Sequence, residues 1–218
     1  MKRHFYTVLG FLMLAFPALA QKKFTEGTIS YDVVINTGSE KPKNADYLDG
    51  TTIANYIKGT RSRTEMVSPL GNMTTIHDSE KNAIAILKEF GEQKYMITLT
   101  PDDWKDVNRK YEGISYSLDN NEEKTILGYK CKKAIGTLQD GTTYTVWYTP
   151  DLVPENKNFQ YETRTLPGLA MEYVINSKDQ KVTYTVSKIS FSPVPTSKFD
   201  LPKAGYRVMT YAESKGGN

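Results

Sequence analysis

Cysteine is almost absent from this sequence: one occurs in 218 residues, at position 131. A single thiol excludes an internal disulfide, and with it the small exported domains that cross-links hold together. Histidine is nearly absent too, with two in the chain, His4 and His77. Beyond the first residues, any histidine chemistry therefore rests on His77. A Ser-His-Asp triad there would have to use Asp78 and Ser79, which are too local to define one. There is no Gly-x-Ser-x-Gly elbow, no phosphate-cradling glycine loop and no dinucleotide fingerprint. One histidine and one distant cysteine make no zinc ligand set. Asp102-Asp103 reads as a helix start and Glu122-Glu123 as a solvated loop, so neither pair points to acid–base work. No cofactor and no metal are expected. After Ala20 no run is long and apolar enough for a transmembrane helix, and no repeat of solenoid period occurs.

The start of the chain has its own character. Met1 to His4 is basic, Phe5 to Ala15 is mostly apolar, and Ala18-Leu19-Ala20 is a small-x-small site. Together they predict a secretory signal peptide over 1–20, cleaved after Ala20. No cysteine follows it, which excludes lipidation of the bacterial lipoprotein kind. Export to the periplasm or beyond is expected. Removing Lys2 and Arg3 lowers the 28 basic residues to 26, against 25 acidic ones. Most of the basic excess is thus the leader's, and a nucleic-acid partner loses its electrostatic footprint. Residues 21–213 are expected to form one β-rich domain and 214–218 a flexible tail.

What the sequence has is tyrosine, 15 of them, set among β-branched residues at strand spacing. Gly27, Ile29, Tyr31, Val33 and Ile35 alternate with polar residues in an opening strand. Thr37–Asp49 reads as a flexible loop. Thr51–Lys58 and Arg61–Val67 form a hairpin about Gly59-Thr60; Met73–His77 and Ala83–Leu87 form the next pair, and Tyr95, Ile97 and Leu99 a further strand. Thr100, Pro101, Asp102 and Asp103 signal a helix start. Trp104, Val107 and Tyr111 give that helix, over 101–110, an apolar stripe. Tyr111–Asn121 reads as a polar loop and Val153–Thr165 as a long one, of the kind that is functional or mobile. Cys131 shares parity with Tyr129 and Ile135, a buried and inert position, and Lys133 breaks that parity, which points to a bulge. A second bulge is expected near Ser187-Lys188, where apolar parity passes from Val182, Tyr184 and Val186 to Ile189 and Phe191. Tyr206–Tyr211 is the last strand.

The stretch from Thr125 to Tyr173 organises the rest. It contains Gly128-Tyr129-Lys130-Cys131-Lys132-Lys133-Ala134, then Val146-Trp147-Tyr148-Thr149, then Leu166-Pro167-Gly168-Leu169-Ala170-Met171-Glu172. Leu166-Pro167-Gly168 reads as a type II turn, with glycine supplying the positive φ. These three motifs resemble the GLPGLI family and, equally, a related domain-of-unknown-function family of secreted Gram-negative proteins. Arg164-Thr165 before Leu166, and Ala170 in place of isoleucine, favour the second. The resemblance implies a LolA/LolB-type fold and an envelope location, and it implies no catalytic residues.

The expected fold is therefore mainly β. It is a single curved antiparallel sheet, a half-barrel of about 9–11 strands, with one or two short helices on its concave side. Parity allows Tyr129, Tyr144, Val146, Tyr148, Met171, Tyr173 and Tyr184 to face one way, either as a plain core or, with Trp104 as a lid above them, as the wall of a cavity. Aromatic walls with hydroxyl tips suit a lipid or lipoprotein acyl chain. The expectation is a non-catalytic protein that binds a hydrophobic ligand. Its rival is a structural or chaperone-like module that binds an envelope protein through sheet edges or Val153–Thr165. A third reading is a hydrolase using His77.

Overall fold

The computed structural model describes residues 21–38, 49–177 and 180–216. The leader and most of the Thr37–Asp49 loop lie outside these residues.

Alternating residues draw the chain into fourteen strands among the described residues. In chain order they are β1 (Lys22–Phe24), β2 (Glu26–Asn36), β3 (Thr52–Lys58), β4 (Arg61–Ser68), β5 (Gly71–Asp78), β6 (Ala83–Phe90) and β7 (Gln93–Leu99). After a helix follow β8 (Ser115–Ile126), β9 (Tyr129–Thr137), β10 (Thr143–Thr149), β11 (Leu152–Pro154), β12 (Leu169–Ser177), β13 (Gln180–Ser190) and β14 (Arg207–Thr210). Twelve of them form one sheet in the order β14-β7-β6-β5-β4-β3-β2-β13-β12-β10-β9-β8. It is curved, open and mostly antiparallel, as expected. It is larger than the expected 9–11 strands, because one segment without an apolar stripe, β8, also pairs. β14 lies parallel to β7, and β8 pairs with β9 through what reads as a polar loop. An edge strand needs an apolar face less than a central one does, so β8 could stay polar and remain a strand.

Both bulges occur. Register slips between Val186 and Lys188 on β13, and the slip opposite Lys132–Lys133 lies on β8, between Asp119 and Glu123. Such slips bend a sheet. The Gly59-Thr60 and Ser79–Lys81 hairpins form as read.

The inner face is unequal along its length. Around β2, β13, β12, β10 and β9 it is a packed core of Ile29, Tyr31, Val146, Met171 and Val186, each at most 2% exposed. Cys131 is also fully buried there, and burial pushes its thiol up to about 11. Far along the sheet, Ile84, Ile97 and Leu99 form a second, small cluster against Trp104. Between the two clusters the inner-facing residues are polar. The register places Asn55 beside Thr64, Thr64 beside Thr75, and Ser62 beside His77.

Two pieces cover this face. The first is α1 (Pro101–Val107), which opens as read: Asp103 N–H donates to Thr100 Oγ1 at 3.1 Å, and Thr100 N–H returns to Asp103 Oδ2 at 2.9 Å. It is shorter than the expected 101–110. At Asn108 the chain turns into a tighter 3-10 turn over Arg109–Tyr111. Val107, the last residue of α1, lies outside the expected stripe and is 38% exposed. The second piece is residues 155–168, called the strap below. It is not a loose loop: β11, which leads into it, pairs with β1, and Asn156, Gln160, Tyr161, Thr163 and Leu166 are buried. After β14 the chain forms α2 (Tyr211–Gly216) where the sequence reads as a strand end and a tail.

Gly168 is present for a reason other than the one its turn signature gives. Its φ is not positive, so no type II turn requires it. A Cβ at this position would stand 2.0 Å from the Thr149 carbonyl oxygen. The residue is glycine because the strap re-enters the sheet in backbone contact with the end of β10.

Candidate functional site

Beneath α1 and the strap lies a hollow of about 160 Å³. Its floor is the polar patch of β4 and β5: Ser62, Thr64, Thr75 and His77. Its roof is aromatic: Trp104 from α1, with Phe159 and Tyr161 from the strap. Asn108, Asn158 and Glu162 close its sides. A wider mouth of about 230 Å³ adjoins it, sharing His77, Trp104, Asn158 and Tyr161, with Lys105 and Arg164 at the opening.

The roof is built from ring contacts. Trp104 sits 5.5 Å from His77 and 6.2 Å from Tyr161, edge-on to the latter at 87°. Tyr161 donates to Glu112, whose other oxygen accepts from Arg164 at 3.1 Å. The strap is thereby tied to the end of the 3-10 turn that follows α1. From the other side the tyrosines of the core reach up to it. Tyr116 and Tyr144 both donate to the Glu162 carbonyl, at 2.6 and 2.8 Å. Gly136 permits this, since a Cβ there would meet both rings within 3.0 Å.

Two buried polar atoms on residues that line this space, Trp104 Nε1 and His77 Nδ1, have no hydrogen-bond partner. His77 is only 7% exposed, so its unmet nitrogen is a real cost. Burial lowers the pKa of His77, with Asp78 opposing in part, so the ring is neutral at neutral pH. The Glu162 carboxyl is enclosed and accepts from Tyr173 Oη at 3.3 Å. Burial raises its pKa above the ordinary 4.5.

The site residues expected from sequence divide. Trp104 lines the hollow. Tyr144, Val146, Tyr148, Met171 and Tyr173 are buried against one another in the core. Tyr129 and Tyr184 pack half-buried at its margin, with Tyr184 stacked on Tyr173 at 4.4 Å. None of these seven lines the hollow. The floor residues Ser62, Thr64 and Thr75 were missed, as were Asn108, Asn158 and Glu162. A signal for the floor was available: Arg61–Ser68 carries polar residues at both parities, unusual for a central strand. Among the described residues no group of three or more His, Cys, Asp or Glu is placed to hold a metal. No helix among them is long and apolar enough to cross a membrane.

Fold and site together define a class, open-sheet β proteins whose inner face is roofed by a short helix and a strap. Residues 45–162, just over half the chain, match DUF4412, a domain of unknown function, and the chain belongs to that family. That agrees with the unknown-function side of the resemblance rather than with GLPGLI. Comparison with curated proteins gives no match. Among solved structures, PNGF-II is similar with a TM-score of 0.50 at 13% identity, over 88% of this chain and 33% of its own. This chain therefore spans a third of that protein, and at such identity the likeness is one of fold. An uncharacterised conserved protein from Thermus thermophilus gives 0.48 at 10% identity, over 85% and 91% of the two chains. The Mycobacterium tuberculosis lipoprotein LppX gives 0.34 at 14%, over 78% and 89%.

Proposed function

We propose that this protein is an exported, non-catalytic carrier of a hydrophobic ligand, a lipid or a lipoprotein acyl chain, taken up between the inner face and the strap. The observation that carries this reading is how the strap is held. Besides Leu166 and Phe159, which pack on the core, polar contacts tether it to the sheet: Tyr116 and Tyr144 to the Glu162 carbonyl, Tyr31 to Gln160 at 3.3 Å, and Asn158 to Ser79 at 3.2 Å. Exchanging such bonds for water costs little, about 1 kcal/mol each. Lifting the strap would bare the aromatic wall of Tyr144, Val146, Tyr148, Met171, Tyr173 and Tyr184 to an acyl chain.

The hollow alone, about 160 Å³, is below the ~300–1,000 Å³ of pockets that hold drug-sized ligands, so seating an acyl chain against the aromatic wall calls for that movement. Native mass spectrometry of the protein purified from its own envelope tests the reading. A co-purifying lipid is the expected result. A bound protein and no lipid would transfer the case to a protein-binding module. Unchanged uptake of an apolar probe by His77→Ala is expected of a carrier and goes against a His77 hydrolase.

A further inference from the structure

We infer that the hollow beneath Trp104 is a subsite for a neutral, hydroxyl-rich ring, a monosaccharide or the sugar head of a glycolipid. This rests on the strap being the cover of a binding site, and names what the polar end of that site accepts. Three observations converge on it.

The first is the lining. The floor carries Ser62, Thr64, Thr75 and His77 in the middle of an otherwise apolar inner face, and the sides add Asn108 and Asn158. Hydroxyls, amides and a neutral imidazole are groups that both give and accept hydrogen bonds, as a polyol does. The second is the roof. Aromatic faces are electron-rich, and the C–H face of a sugar ring is their complement. A polyol between the two meets hydroxyl partners below and ring faces above. The third is the pair of unmet atoms. Trp104 Nε1 can only donate, and His77, only 7% exposed, presents Nδ1 without a partner. A small turn of the two rings brings these enclosed atoms to a ligand in the hollow, which must offer an acceptor; a hydroxyl also offers a donor.

Charge and hydrogen bonding exclude the competitors. Among the described residues Glu162 is the only ionisable carboxyl lining the hollow, and no lysine or arginine lines it, so a phosphate or carboxylate would meet an acid and no cation there. A quaternary ammonium would suit Glu162 and the rings, but it has no acceptor for Trp104 Nε1. The hollow, about 160 Å³, seats one ring, and the mouth of about 230 Å³ leads out from it.

The test uses the full mature chain carrying Trp147→Phe, which leaves Trp104 as the sole tryptophan of the two. Its fluorescence is titrated with glucose, galactose, N-acetylglucosamine, an alkyl glucoside below its micelle concentration, choline and acetate. Uptake of an apolar dye is measured in parallel. At least one free sugar should shift Trp104 emission saturably, with no response to choline or acetate. Trp104→Phe, which keeps the ring and loses the N–H, should weaken that sugar roughly fivefold to tenfold by saturation-transfer NMR. An alkyl glucoside that binds much more tightly than the free sugar marks a glycolipid as the source. Equal affinity marks the free sugar.

No saturable response to any sugar or to the glucoside overturns the inference, as does a response to choline in their place. Sugar affinity unchanged in Trp104→Phe also overturns it, by moving the sugar elsewhere. Dye uptake without sugar binding sinks this inference and leaves the carrier standing. Sugar binding without dye uptake does the reverse.

Discussion

At the scale of single residues, two positions show side chains answering to their surroundings. Gly168 is the sharper. With the Thr149 carbonyl oxygen 2.0 Å from where a Cβ would stand, Gly168→Ala has to push the strap out of the β10 end. A loss of at least about 2 kcal/mol is expected, read as a lower denaturant midpoint. An unchanged midpoint would mean the strap tolerates displacement freely. Glu162 makes the second case. Burial raises its pKa above 4.5 in the folded state, so its protonated form is the one the fold prefers. Its contribution is then fully present below about pH 4.5 and is lost as pH rises through the folded value. Glu162→Gln removes the charge, so it should be at least as stable as the parent at pH 7 and converge with it near pH 4. His77 runs the other way: burial lowers its pKa, so its contribution is present above the ordinary 6.5 and is lost as pH falls through the lowered value. A Glu162→Gln protein destabilised at pH 7 and unaffected at pH 4 would show that the carboxylate is instead a favourable partner of its neighbours.

Among the elements, α1 is held from outside as much as from beneath. Asp106 on α1 accepts from Tyr211 Oη of α2 at 2.8 Å and pairs with Lys215. With these partners, chiefly Lys215 and then Tyr211, its pKa is lowered to about 2. A carboxylate depressed in the fold keeps its contribution above the unfolded value of 3.8 and loses it as pH falls through about 2. Asp106→Asn should therefore mimic, at neutral pH, what acid does. Amide exchange in α2 should speed up while β2 and β13 stay protected. Equal protection in both would show α2 to be fixed by β14 alone. Trp104 is the inner anchor of the same helix. It is half-buried above a hollow, against a cluster of only three aliphatic residues. Trp104→Ala should then cost about 1–2 kcal/mol rather than the 3–5 typical of a filled core, and should alter uptake of an apolar probe. Elements with one-sided alternation or cap signals were legible in the sequence: β2, the β3–β6 hairpins, the start of α1 and the β13 bulge. Those that hold through pairing alone were not. β8, β11 and α2 have no apolar stripe, and what specifies them is the neighbour they meet.

For the molecule as a whole, open curvature and one-sided burial could be read from alternation and from the three motifs of the Thr125–Tyr173 block. The place of the site could not. The sequence offered tyrosines as the walls of a cavity. In the fold they turn inward on each other, and the hydroxyls of Tyr144 and Tyr173 hold the strap. Parity gives the face of a side chain but not whether that face is already filled. Filling is decided by residues 155–168, whose path over the sheet has no periodic signal. This makes the strap the element that separates a static core from a carrier. Asn158 Nδ2 lies 3.2 Å from Ser79 Oγ at the β5–β6 turn, where the strap meets the rim of the sheet. Cysteines at Asn158 and Ser79, joined by a short linker reactive toward two thiols, would fasten the strap at that rim. The native thiol would not compete, because Cys131 is fully buried and burial pushes it up to about 11. In a carrier, the unlinked double variant should take up an apolar probe as the parent does, and linking should cut that uptake at least about tenfold, a shift of ~1.4 kcal/mol. If linking leaves probe uptake unchanged, the strap does not gate the inner face, and the apolar ligand has to be sought on another surface.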